Sequence, residues 1–286
     1  MLDCESLEII VIDNHSEDAT QATVNKLFPS VKYLRTDENI GAAGRNFGME
    51  AATGEIVITL DDDVSGLTAS ALGVLVRQFR EDPKLGAVNF RVVDEQGRTC
   101  NWVHHCKEEE FFDKTFPTYE ITEGAVAFRR KTLQLSGYYP ETFFLSHEGP
   151  DLAFRIIEQG YRVIYSGEIC VRHWFSSAGR EPWRNYYYDT RNQLWLAARH
   201  FPLSYAVTYL VRGLSAMLFY SLRDGYFIQW LKAVRDGLSG LGKACGERKV
   251  LSSSTMDIIR KIDSRRPSIG YLIKAKVIEK KDLLVK

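Results

Sequence analysis

The stretch Glu55-Ile-Val-Ile-Thr-Leu-Asp-Asp-Asp-Val64 decides the fold. Ile56 to Leu60, rich in β-branched residues, reads as a strand buried on both faces, and it runs directly into Asp61, Asp62 and Asp63. Carboxylates crowded at the end of an apolar strand repel one another and lose solvation. They point to a bound divalent cation with oxygen ligands, Mg²⁺ or Mn²⁺, with a solvated acidic turn as the alternative. Alternation along the strand puts Asp61 and Asp63 on one side and Asp62 on the other.

Upstream, Leu7-Glu-Ile-Ile-Val-Ile-Asp13 is a second apolar run of the kind found in parallel sheets covered on both faces. Asn14 to Thr20 supplies a turn and a helix start, with Ser16 as candidate N-cap, and the helix ends near Leu27 before Pro29. Val31 to Arg35 is a short strand. In Glu38-Asn-Ile-Gly-Ala-Ala-Gly-Arg-Asn-Phe-Gly48 the glycines permit close backbone approach, and Arg45 and Asn46 open a helix. Strand, helix, strand, helix, strand implies right-handed crossovers and a mainly parallel sheet flanked by helices. Ligands of such sheets bind at the carboxyl ends of strands, where Asp13 and the aspartate triplet both lie.

Downstream, Thr68 to Arg80 reads as a helix stopped by Asp82-Pro83, and Gly86 to Val93 and Ile121 to Phe128 as strands. Residues 98–120, aromatic and acidic, form an irregular excursion that can border a pocket. Pro150 fits the first turn of a helix ending at Gly160, which places Glu148 at its mouth and Asp151 within its first turn. Both carboxylates suit acid-base chemistry, and both equally suit the helix dipole. Arg162 to Tyr165 is a strand, and Cys170-Val-Arg-His173 leads a histidine back toward the acidic cluster.

Residues 1–180 therefore read as one α/β unit and 181–286 as a helical region. Gln193 to Leu222 is strongly apolar, but Arg212 near the centre of Leu203 to Leu222 argues against spanning a membrane. Net charge is zero over 286 residues, yet the segment from Lys243 onward carries 12 Lys or Arg against 5 Asp or Glu. With the amphipathic Tyr226 to Arg235 this suits peripheral contact with a membrane surface, the alternative being helices packed on the main domain. Nothing in the charge pattern calls for nucleic acid. Five scattered cysteines fit a reducing compartment, Cys100-Asn-Trp-Val-His-His-Cys106 lacks a second ligand pair at zinc spacing, and Met1 to Ser6 shows no secretory pattern. The expected location is cytoplasmic, on the inner face of the plasma membrane.

Four segments in order, Val11 to Thr20, Asn39 to Gly48, Leu60 to Val64 and Glu148 to Arg155, followed by His173, resemble family 2 glycosyltransferases of the GT-A fold, a Rossmann-like α/β architecture. The resemblance covers about residues 7–200. It implies an inverting transfer from a nucleotide-diphosphate sugar to a hydroxyl of a glycan or lipid-linked acceptor, as in cell-surface polysaccharide synthesis. Asp13 looks like the carboxylate that meets the nucleotide base, with Asn14, Asn39, Gly41, Arg45, Asn46 and Asp62 completing the nucleotide-sugar site. Asp61 and Asp63 match the metal-holding ends of a DXD motif, and His173 matches a position that in some relatives joins the metal.

Two departures stand out. Family members often carry Glu-Asp before the helix, with the Asp as general base; here Gly149 takes the second place, so Glu148 is the expected base and Asp151 the reserve. Relatives also begin with a further strand and helix, the strand lying centrally in the sheet. Its lack leaves unpaired backbone and an open gap, so residue 1 is expected not to be the natural start, or the chain to be a fragment. The competing functions are a nucleotidyltransferase, which would show a Gly-rich loop with Lys or Arg after its first strand, and a GT-A-like module that binds sugar nucleotides without turnover.

Overall fold

Parallel pairing joins β1 (Ile10–Asp13) to β2 (Lys32–Arg35), with α1 (Thr20–Leu27) crossing between them. The computed structural model describes residues 7–100, 102–103, 105–174, 181–268 and 271. A 3₁₀ turn, Gly41–Gly44, runs into α2 (Arg45–Ala51), then β3 (Ile56–Leu60) and the two-residue β4 (Val64–Ser65). Next come α3 (Ala69–Glu81), β5 (Leu85–Val93), β6 (Thr99–Cys100), α4 (Glu108–Phe111), β7 (Thr115–Pro117), β8 (Ala125–Arg129) and α5 (Arg130–Ser136). The α/β part closes with α6 (Glu148–Glu158) and β9 (Arg162–His173). Five helices follow: α7 (Trp183–His200), α8 (Leu203–Arg223), α9 (Phe227–Ser239), α10 (Leu241–Gly246) and α11 (Ser253–Asp263).

The larger sheet has the order β3-β8-β5-β9-β4, with β6 added to β5 and β7 to β9. The expected α/β architecture is present, but this sheet is mixed rather than mainly parallel. β8 runs antiparallel to both β3 and β5, whereas β5 and β9 are parallel. The reason lies in residues 98–120: the chain reaches β8 through this excursion rather than a crossover helix, so direction is not fixed by a βαβ unit. The excursion packs on the β9 side, where Val103, Cys106 and Phe116 bury against Tyr165.

Alternation sorts the core onto two faces. Ala87, Val126 and Phe128 join α5, α6 and part of α7, while Val88, Ala125 and Ala127 join Leu75 and Phe79 of α3. Leu196, Ala197 and Phe201 belong to the same cluster as Leu152, Phe154 and Ile156, so the helical region packs on the α/β part through α6. Among the described residues no helix is long and apolar enough to cross a membrane. Residues 269–270 and 272–286 of the basic C-terminal tail, and Asn101 and His104 of the cysteine-histidine stretch, lie outside the described residues.

β1 and β2 form a two-stranded sheet of their own, and no described strand pairs either with β3. The small sheet is held laterally by α2, where Gly48 packs on Ile12, and by Glu8, whose carboxylate accepts the Thr53 N–H at 3.1 Å. α1 has no buried residue, and Leu27 and Phe28 are exposed.

Candidate active site

Strand ends and two loops bring the predicted residues into three adjoining groups. The first surrounds the end of β1. The buried Asp13 carboxylate accepts from the Tyr33 hydroxyl, the Arg35 guanidinium at 2.6 Å and the Ser16 N–H at 2.6 Å. Burial would raise its pKa, but these hydrogen bonds and the Arg35 charge hold it at about 2. Asn14 stitches β1 to the following loop: its oxygen accepts the Ile40 N–H at 3.1 Å, and its amide donates to Asn39 Oδ1 and the Gly41 carbonyl, each at 3.0 Å. Gly41 adopts φ +66°, and a Cβ there would lie 2.0 Å from the Phe144 carbonyl oxygen. Glycine at this position lets the Ala42 N–H reach that oxygen at 2.8 Å, joining the loop to the segment before α6.

The second group lies at the carboxyl end of β3. Arg45, opening α2, pairs with Asp61, which raises the guanidinium pKa against the opposing effect of burial. Asn46 engages backbone at both ends of its amide, donating to the Tyr139 carbonyl at 2.9 Å and accepting the Tyr139 N–H at 3.0 Å. Asp62 is exposed. The register of β4 against β9 sets Val64 opposite His173, so Asp63 Oδ1 lies 2.9 Å from His173 Nε2. Asp61 and His173 line one small cleft with Thr122 and Gly124.

Carboxylate oxygens and an imidazole nitrogen are donors that Mg²⁺ or Mn²⁺ accepts. Among the described residues no three of His, Cys, Asp or Glu close on one point, so a complete protein cage is not formed. Asp61 and His173 line the cleft and Asp63 lies against His173, a partial donor set of two carboxylates and an imidazole. No such group includes Cys100 or Cys106, whose thiols burial pushes up to about 12.

The third group heads α6. Phe144, Ser146 and His147 all have positive φ, between 64° and 69°, in a segment without glycine. Backbone held in this region by non-glycine residues costs energy and persists only when surroundings over-determine it. Asn192 of α7 does so: its amide donates to the carbonyls of Phe143, Leu145 and Ser146 at 3.0, 2.6 and 2.7 Å. His147 Nε2 lies 2.9 Å from Asp189 Oδ1. The segment delivers Glu148, 2% exposed, to the first position of α6. Burial and the nearby Glu123 charge push the Glu148 carboxyl well above the usual range, against the pull of Arg45.

Asp151 stands apart from this group. It is fully buried, and Arg155, Arg199 and His200 occupy both its oxygens at 2.7 to 2.9 Å. Glu123, Asn192 and the strained segment before Glu148 were not legible. Glu123 reads as one more residue of a strand, and no glycine marks the positive-φ positions.

Residues 3–139 match the family model for glycosyl transferase family 2. An uncharacterised protein of Haemophilus influenzae is 31% identical over 143 residues, covering 47% of this chain and 77% of that protein. A glucosyl-dolichyl phosphate glucuronosyltransferase of Haloferax volcanii is 29% identical over 189 residues, 59% of each chain. The chain spans 59 to 61% of the length of the curated transferases it matches. Among solved structures, the mannosyltransferase of Pyrobaculum calidifontis in complex with GDP-Man and Mn²⁺ covers 96% of this chain and 79% of its own, at 18% identity and TM-score 0.50. That likeness establishes the fold.

Proposed function

The chain belongs to glycosyl transferase family 2, and from that premise we propose that it moves a sugar from a nucleoside diphosphate donor to a hydroxyl acceptor with inversion at the anomeric carbon. One observation carries the reading: the carboxylates after β3, the histidine ending β9, Arg45 and the buried acid pocket heading α6 adjoin at one edge of the sheet.

Asp13, Asn14, Asn39, Gly41, Arg45, Asn46 and Asp62 form the nucleotide-sugar side. Asp13 offers a fixed negative charge, and Asn14 holds the loop through Gly41 in place. Asp61 and Asp63, with His173, would hold a Mg²⁺ or Mn²⁺ ion, which neutralises charge gathering on the departing diphosphate. The acceptor hydroxyl attacks the anomeric carbon from the opposite face and gives its proton to the acid pocket in which Glu148 stands. A single displacement of this kind inverts the centre. Asp151, neutralised by Arg155 and Arg199 and hydrogen-bonded to His200, holds α6 against α7 in this reading.

The acceptor is a glycan or a lipid-linked hydroxyl. The outer faces of α8 and α9 support contact with an anionic membrane surface: Leu203, Val207, Val211, Phe219, Ile228 and Leu231 are exposed there beside Arg212 and Lys232.

Thermal unfolding with a panel of UDP-, GDP- and dTDP-sugars tests donor binding. At 100 times its dissociation constant a true donor stabilises by about 2.7 kcal/mol, and removing divalent cation with EDTA should abolish most of that gain. If no sugar nucleotide raises the midpoint with Mn²⁺ present, the proposal fails.

A further inference from the structure

Glu123, just before β8, brings a second carboxylate to the head of α6. Its Oε1 accepts the Gly149 N–H at 3.1 Å. A Cβ on residue 149 would lie 2.5 Å from that oxygen and 2.6 Å from the Ile121 carbonyl. The space that family members often fill with an acidic side chain at this position is therefore taken by a carboxylate from another element, and it is available because Gly149 has no side chain.

The surroundings suit proton transfer. Glu148 Oε2 and the Tyr139 hydroxyl are buried with no hydrogen-bond partner among the described residues. Arg45, Asp61, Glu148 and Tyr139 face Glu123, while Glu123, Arg45 and Asp151 act on Glu148. Burial raises both glutamates, and a neighbouring carboxylate raises each further, Asp61 for Glu123 and Glu123 for Glu148. Accessibility separates the two: Glu148 is 2% exposed, whereas Glu123 is only partly buried.

We propose that Glu123 is the carboxylate that takes the proton from the acceptor hydroxyl, with Glu148 behind it as the group that shares that proton. This rests on the transferase reading. The acceptor oxygen bonds to the anomeric carbon as the bond from that carbon to the diphosphate oxygen breaks, and its electron pair leaves with the diphosphate. The hydroxyl proton passes to Glu123, making it a neutral acid, and is then shared with Glu148.

Glu123→Gln, Glu148→Gln, the double variant and Glu123→Asp, made in the full chain, test the proposal. The readouts are nucleoside diphosphate release, with water as the stand-in hydroxyl, and thermal shift, both with the sugar nucleotide that most stabilises the unmodified protein. The Gln carbonyl still accepts the Gly149 N–H, so a purely structural role survives Glu123→Gln. The expected result is a fall in kcat of about 10²- to 10³-fold with the donor-dependent shift retained. Glu123→Asp should recover part of the rate, and the double variant should be no slower than the slower single one, because the two act as a unit. A Glu123→Gln rate within about threefold of the unmodified protein overturns the proposal, as do loss of the donor shift together with the rate, or fully multiplicative single effects. An unmodified protein showing neither release nor donor shift overturns the transferase reading and this one with it.

Discussion

Asp151 shows how far residue type and spacing carry at the scale of a single side chain. One turn into a helix, an aspartate suits acid-base work or the dipole, and sequence leaves both open. In the fold, Arg155 from its own helix and Arg199 from α7 neutralise it, and His200 of α7 is hydrogen-bonded to it. Burial raises its pKa, but Arg155, the His200 hydrogen bond and Arg199 outweigh that and hold it well below the carboxylate range. A depressed folded pKa contributes stability that is present above the unfolded value of about 3.9 and is lost as pH falls below it. Asp151→Asn should therefore cost about 3 to 5 kcal/mol at pH 7 by urea denaturation, because it leaves buried cations uncompensated. It should also flatten the loss of stability below about pH 5. An unchanged midpoint would remove Asp151 from the account of stability. The aspartate triplet was legible for the opposite reason: three carboxylates ending an apolar strand have few explanations, and strand register then brings His173 to Asp63.

At the scale of elements, local signals served well where they have local causes. Thr68 caps α3 by accepting the Ala71 N–H, Asp82-Pro83 ends it, and the apolar runs at Ile10, Ile56 and Leu85 are strands. Direction and length were less accessible. Period-two alternation does not say whether β8 runs with or against its neighbours, and two short apolar runs proved to be one strand, β9. The segment from Phe144 to His147 was also out of reach, because its conformation is imposed by Asn192, which lies 45 or more positions away. Asn192→Ala removes three hydrogen bonds from this segment and frees it to relax. Since misplacing a reacting group by about 1 Å can cost about 10²-fold, turnover should fall by about that factor while the donor-dependent thermal shift persists. Undiminished turnover would show that the strained segment does not position Glu148.

At the scale of the molecule, β1 and β2 stand as a sheet separate from β3 among the described residues, α7 to α11 follow β9, and the α/β architecture was readable. The packing of α7 into the core cluster around α6 was not, because an apolar helix looks alike whether it covers a sheet or a lipid surface. The outer faces of α8 and α9 expose Val211 and Ile228. Co-sedimentation should be stronger with phosphatidylglycerol-containing vesicles than with phosphatidylcholine alone, and Val211→Glu with Ile228→Glu should weaken it by about tenfold or more, as expected for two apolar side chains worth about 1.5 to 3 kcal/mol each. Equal, weak sedimentation with both vesicle types would assign those faces another role. The central claim, that charge gathered after β3 serves departure of a diphosphate, is tested most directly by nucleoside diphosphate release from the stabilising donor in Mn²⁺, comparing the unmodified protein with Asp63→Ala. The account predicts cation-dependent release that falls by about 10²-fold or more in the variant; release at an unchanged rate would contradict it.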